Sequence, residues 1–118
     1  MTSREIGLLA AEALYNKGAH NITMLDVAKM TTITEVMVIA SGKNAPQAKA
    51  LAEDVEEKLL LKDLSPIRKD GHPGSRWLVL DYGSVLIHIF LPQEREFYHL
   101  DKLWEQEDNR IPLPFDEE

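Results

Sequence analysis

From Trp77 to Pro92 the chain reads W-L-V-L-D-Y-G-S-V-L-I-H-I-F-L-P, and the charged, aromatic run E-R-E-F-Y-H-L begins at Glu94. Two β-rich runs around Gly83-Ser84, followed by a helix-forming stretch, read as a hairpin running into a short helix. An even-numbered turn at Gly83-Ser84 fixes which side chains share a face, because side chains alternate along each strand. Leu78, Leu80, Val85, Ile87 and Ile89 then share a wholly aliphatic face, which belongs in a core. Trp77, Val79, Asp81, Leu86, His88 and Phe90 share the other. Aromatics, a histidine and a carboxylate on one sheet face suit a surface that meets another protein. A two-residue turn sets Trp77 opposite Phe90, and Trp is enriched among the anchors of protein interfaces.

The remaining elements are punctuated clearly. Thr2 and Glu5 form a T-x-x-E capping box opening a helix over 2–17, with Ile6, Leu9, Ala10, Ala13 and Leu14 as its apolar stripe. Asn16, Lys17 and Gly18 end it. Residues 22–27 are a short strand. The β-branched run 33–40 is a second, and its two apolar faces place it inside a sheet. Ser41-Gly42-Lys43-Asn44 is a turn, and a second helix opens at Asn44 or Ala45 with Pro46 in its first turn. Ala48, Leu51, Ala52, Val55 and Leu59 form its buried stripe. Lys49, Glu53, Glu56 and Glu57 face solvent, and Asp54 and Lys58 pair one turn apart. Residues 64–69 make a third, irregular strand, stopped by the breakers Asp70-Gly71-His72-Pro73-Gly74. After the hairpin, Pro92 starts the last helix, with Glu94 and Glu96 in its first turn and Phe97, Leu100, Leu103 and Trp104 packing inward. The order α-β-β-α-β-β-β-α predicts an α+β fold, a small mixed sheet with flanking helices. Residues 1–104 form one domain, and 105–118 an acidic, proline-containing tail expected to be mobile.

At 118 residues the chain is one domain that buries roughly two-thirds of its unfolded surface. Twenty Asp and Glu against 13 Lys and Arg give a net charge of −7. That balance argues against binding through nucleic-acid phosphates, so little direct nucleic-acid contact is expected. It favours a basic protein partner. The absence of cysteine excludes a disulfide-dense secreted fold. With no secretory leader pattern and no apolar run of membrane length, the expected location is the cytoplasm, or an organelle matrix if a longer precursor exists, with no membrane partner.

The chemistry-bearing candidates thin out quickly. Ser41-Gly42-Lys43-Asn44 sits between strand and helix, where a phosphate loop would lie. It fails the G-x-x-x-x-G-K-[ST] pattern twice, having Met37 in place of the first glycine and Asn44 in place of the hydroxyl residue. A nucleotidyltransferase on such a sheet needs paired carboxylates to hold magnesium, and Asp81 has only Val79 as its alternate neighbour. His20, His72, His88 and His99 have no metal-ligand spacing, and no G-x-S-x-G nucleophile elbow is present. These observations predict no catalytic residues, no metal and no cofactor. His88 stands out because it lies mid-strand on the mixed face. Its bland alternative is a histidine bonded beneath a covering helix.

The run R-W-L-V-L-D-Y-G-S-V-L-I-H-I-F-L-P-Q-E-R-E-F-Y-H-L-D-K-L-W, from Arg76 to Trp104, closely resembles the signature of the ribosome-silencing factor (Iojap) family. So does the earlier I-T-E-V-M-V-I-A-S-G, from Ile33 to Gly42, with the amphipathic helix after it. The resemblance covers about Ile6 to Trp104. It implies a nucleotidyltransferase-like fold without enzymatic activity. It also implies a translational repressor that binds the fourteenth protein of the large ribosomal subunit and sterically blocks joining of the small subunit, typically when nutrients are scarce. The residues it carries over as partner-facing are Trp77, Asp81, Tyr82, Gly83, Ser84, His88, Phe90, Arg95, Glu96 and Tyr98. Alternation independently selects Trp77, Asp81, His88 and Phe90, but puts Tyr82 with the core face. Three features depart from the family: Ser84 for its usual Asp, Glu35 for Asp, and Lys43-Asn44-Ala45-Pro46 for a more hydroxyl-rich turn. A homodimer of the free protein through the same surface is a further expectation. The competing reading is an inactive nucleotidyltransferase-like module that binds a nucleotide, or an unrelated basic protein.

Overall fold

The capping box forms as predicted. Thr2 accepts from the Glu5 amide at 3.1 Å and its own amide donates to the Glu5 carboxylate at 2.7 Å. These bonds hold the Glu5 carboxyl below its ordinary range and open α1 (Ser3–Asn16). The computed structural model describes residues 1–71 and 76–115. His72, Pro73 and Gly74 of the breaker segment lie outside the described residues, as do Asp116, Glu117 and Glu118 of the tail. The chain continues as β1 (His20–Asp26), β2 (Val36–Ser41), α2 (Ala45–Leu60), β3 (Arg68–Asp70), β4 (Trp77–Asp81) and β5 (Val85–Phe90). Two short helices, α3 (Pro92–Tyr98) and α4 (Leu100–Trp104), follow.

The strands form one mixed sheet in the order β1-β2-β5-β4-β3. β2 and β5 run parallel, and the other three neighbouring pairs are antiparallel. β2 is therefore internal, as its apolar faces require, but it starts at Val36. Ile33 is exposed in a turn where its amide donates to the Thr31 hydroxyl. β3 is shorter than expected and exposed along its length. The hairpin turn has two residues, the Tyr82 amide donating to the Val85 carbonyl at 2.9 Å, and Trp77 pairs with Phe90.

That register divides the molecule into two cores. Leu78, Leu80, Val85, Ile87 and Ile89 join Met24, Val36, Val38 and Ala40 beneath α1 and α2. The buried stripe of α2 is the predicted Ala48, Leu51, Ala52, Val55 and Leu59, and Lys58 meets Asp54 at 3.2 Å. The opposite face buries Leu25, Val27, Met37, Ile39 and Phe90, with Leu100 and Trp104 packed over them. The mixed face is thus covered at one end by α3 and α4, which act as a cap.

Two expectations are corrected here. The final helix breaks at His99, which adopts the left-handed conformation (φ 50°, ψ 43°). The break resets the helical phase, so Leu100 and Trp104 turn inward while Phe97 and Leu103 remain 78% and 69% exposed. The segment after Glu105, expected to be mobile, lies along the free edge of β1. The Asp26 amide donates to the Asn109 carbonyl and the Ile111 amide to the Met24 carbonyl, both at 2.8 Å. Ile111 is buried, and Phe115 stacks on Tyr15 with ring centroids 4.2 Å apart. An unpaired sheet edge invites a strand, and this one takes the chain's own terminus.

A β-branched residue is poorly accommodated at positive φ. His99→Val is therefore expected to lose about 1–2 kcal/mol of stability, whereas His99→Gly is expected to lose none, with urea unfolding midpoints as the measurement.

Candidate protein-binding surface

Arg95 anchors the cap to the sheet. Its side chain is largely buried, and its guanidinium donates to Asp101 through Nε at 3.2 Å and Nη2 at 2.7 Å. It also donates to the Ser41 hydroxyl at 3.0 Å and the Thr23 hydroxyl at 3.2 Å. One planar fork thereby joins α3, α4, β1 and β2, a use for which lysine has no equivalent geometry. The pair spans six residues, a separation that the left-handed residue between the helices brings together.

Above this anchor the aromatic rings form a ladder from the core to solvent. Phe90, with no exposed surface, stacks under Trp77 at 4.7 Å between centroids. Trp77 meets Tyr98 at 5.0 Å, and Tyr98 meets Phe97 edge-on at 5.0 Å. Trp77 is half-buried and Tyr98 is 48% exposed. The Trp77 indole donates to His88 Nδ1 at 3.1 Å. That bond requires an imidazole lacking a proton at Nδ1. Burial pushes the His88 pKa down to about 4, against an opposing pull from the Asp101 carboxylate. His88 is thus a buried histidine under a cap, bonded to Trp77.

At the hairpin tip, Asp81 accepts from the Gly83 amide at 2.8 Å and lies 3.7 Å from Arg68. Gly83 has φ +83°, which a side chain adopts only with strain. The Ser84 carbonyl accepts from the amides of Glu35 and Val36, both at 3.0 Å, and the Glu35 carboxylate accepts from the Ser3 hydroxyl. Ser84 and Glu35 are therefore joined through the backbone. Tyr82 packs with the α1–α2 core, as alternation predicts. Among the described residues its hydroxyl has no hydrogen-bond partner, and its pKa is pushed up to about 12 by burial and then by Glu56.

The ten residues singled out from sequence consequently separate. Glu96 and Tyr98 are exposed, and Trp77, Asp81, Tyr82, Gly83, Ser84 and Arg95 are partly exposed. Phe90 and His88 are buried beneath the ladder, little of the Arg95 side chain is exposed, and Tyr82 packs against the α1–α2 core. Sequence reasoning placed Phe97 in the core, assuming one continuous helix. It missed Asp101, whose link to Arg95 has no periodic signature. In the Ser41–Asn44 turn, Gly42 donates to the Phe90 carbonyl at 2.8 Å and Asn44 caps the Gln47 amide at 2.9 Å. With Ser41 held by Arg95, these groups are committed within the chain. Among the described residues, no group of three or more His, Asp or Glu could hold a metal ion, and no helix is long and apolar enough to cross a membrane.

The family model for "Ribosomal silencing factor during starvation" matches residues 1–118. The chain belongs to this family. A ribosomal silencing factor of Chromobacterium violaceum is 36% identical over 104 residues, covering 88% of this chain and 85% of that one. A crystal structure of a Chromobacterium violaceum protein superposes with a TM-score of 0.85 at 32% identity, covering 97% of each chain. A mouse protein named for mitochondrial assembly of the ribosomal large subunit is 30% identical over 94 residues, 77% of this chain and 41% of its own. Membership in the silencing-factor family associates the chain with the ribosome and with control of translation.

Two measurements test this geometry. Arg95→Lys is expected to lose about 2 kcal/mol of stability, the scale of hydrogen bonds to a charged group. A double-mutant cycle with Asp101→Asn checks it through a coupling energy above about 1 kcal/mol. For His88, the folded pKa lies below the unfolded value of 6.5, so the unfolded chain binds more protons in between. Its contribution is full above pH 6.5 and is lost as the pH falls toward 4. Unfolding curves of the wild type are expected to lose about 3 kcal/mol more over that window than those of His88→Gln.

Proposed function

We propose that this chain represses translation by binding the large ribosomal subunit through its fourteenth protein and occluding the face where the small subunit docks. The observation carrying this reading is the exposed Phe97–Tyr98 pair, braced on Trp77 and presented by an acidic member of the silencing-factor family. Rigid aromatic side chains supply contact area at low entropic cost and dominate binding energy when desolvated. Glu96 and the hairpin tip at Asp81, Gly83 and Ser84 form the polar rim, and the net charge of −7 steers encounter with a basic ribosomal protein. Phe90, His88, Arg95 and Tyr82 act from within by fixing the surface residues. The name of the mouse relative, which places that protein in large-subunit assembly, supports the choice of subunit. The protein acts as a binding factor, not an enzyme, in keeping with the committed groups of the Ser41–Asn44 turn.

A second reading concerns the free protein. Phe97 and Leu103 are large apolar side chains left in water, and two copies could bury them against each other. Dimerisation would then compete with ribosome binding.

The test is sedimentation with separated ribosomal subunits. The wild type is expected to travel with the large subunit and to reduce reassociated particles. Phe97→Ala and Tyr98→Ala are expected to weaken binding at least about tenfold with native circular dichroism. They are cleaner probes than Trp77→Ala, which also strips His88 and Phe90 of their neighbour. Unchanged binding by both variants would overturn the surface, and no wild-type co-sedimentation at low salt would overturn the partner.

A further inference from the structure

The edge segment after α4 ends in contacts that point back to the cap. Asn109 Nδ2 donates to the Trp104 carbonyl at 2.8 Å and to the Met30 sulfur at 3.6 Å. Its Oδ1 accepts from the Gln106 amide at 2.6 Å. Its backbone carbonyl is the one that accepts from Asp26 on β1. Trp104 and Met30 both pack over the second core. A five-residue helix is nearly all terminus, and its last carbonyls have no partner within the helix. Asn109 supplies one from outside while its own backbone is held by the sheet edge. Arg110, the next residue, bridges to Leu25 and pairs with Glu105 at 3.0 Å.

We propose that Asn109 is a positioning residue: it pins the C-terminal segment to α4, so that the strap along β1 holds the aromatic cap in place. Arg95 fixes the cap from its α3 side and Asn109 from the end of α4. The cap's own helices contain no fully buried residue, so they depend on these outside attachments. Loss of the pin frees the cap while leaving the sheet intact. The consequence for partner binding rests on the function proposed above, whereas the positioning itself does not.

Asn109→Asp tests this most cleanly, because it keeps the acceptor for Gln106 and the backbone bond to Asp26 while removing both Nδ2 donors. Asn109→Ala is the second variant. The readout on the full chain is amide hydrogen exchange by NMR, together with large-subunit co-sedimentation. The expected result is that Leu103 and Glu105, whose amides bond within the cap, exchange at least about tenfold faster. Val38 and Ile87 in the central strands should be unchanged, and large-subunit affinity should fall. Unchanged cap protection, or an equal loss across cap and sheet, would overturn the pin. Selective loss of cap protection with wild-type affinity would support the pin and overturn its link to binding. If the wild type itself fails to bind the large subunit, the functional reading falls, and the exchange pattern still decides the role of Asn109.

Discussion

The guanidinium of Arg95 is the contact on which the arrangement of the candidate surface depends. Helices of seven and five residues have no appreciable stability alone, since nucleation costs more than a few hydrogen bonds return. Here they are fixed by Leu100 and Trp104 packing into the second core and by one side chain bonded to Thr23 of β1, Ser41 of β2 and Asp101. An uncompensated charge in that position would be costly. The two hydroxyls and the carboxylate around it are what make its burial tolerable. Thr23 and Ser41 are thus polar residues in otherwise apolar strands for a reason visible only once the cap is in place.

The two sheet faces divide the labour. The face under α1 and α2 is mainly aliphatic around a long, capped helix pair and holds most of the buried apolar residues among those described. The other face is small, mixed and covered by short elements whose backbone bonds lie close to solvent. Elements of that kind sit at the low end of the local stability range. Placing the exposed aromatics there separates them from the core that holds the fold, so changes to Phe97 or Tyr98 leave the main core untouched.

Much of this was readable from the sequence where the signal is local or periodic. The capping box at Thr2, the α2 stripe and the hairpin faces each follow from short-range spacing, and each is found. Alternation also placed Tyr82 with the core side, and there it packs while remaining partly exposed beside the turn. What was not readable is non-local. Tyr98-His99-Leu100 contains no glycine or proline, so nothing in the sequence marks the left-handed break, and the misplacement of Phe97 and Leu103 follows from that single residue. Arg95 looked like a rim charge because its four acceptor atoms come from three separate segments. The strap looked like a loose tail because proline and charge dominate its composition, while its partner, the β1 edge, lies some 85 residues earlier.

The turn between β2 and α2 shows how the same constraint bears on function. A strand-to-helix turn commonly offers backbone donors to a phosphate. In this chain Gly42 donates to the carbonyl of Phe90, the ring of which carries Trp77, and Ser41 accepts from Arg95, which holds the cap. A Cβ on Gly42 would come within 3.2 Å of the Ala48 amide nitrogen, so α2 already fills the space beside the turn. Groups that could have faced a small ligand instead face inward and organise the aromatic surface on the opposite side of the sheet. The polar groups of this turn thus serve to hold the exposed aromatic residues in a fixed arrangement.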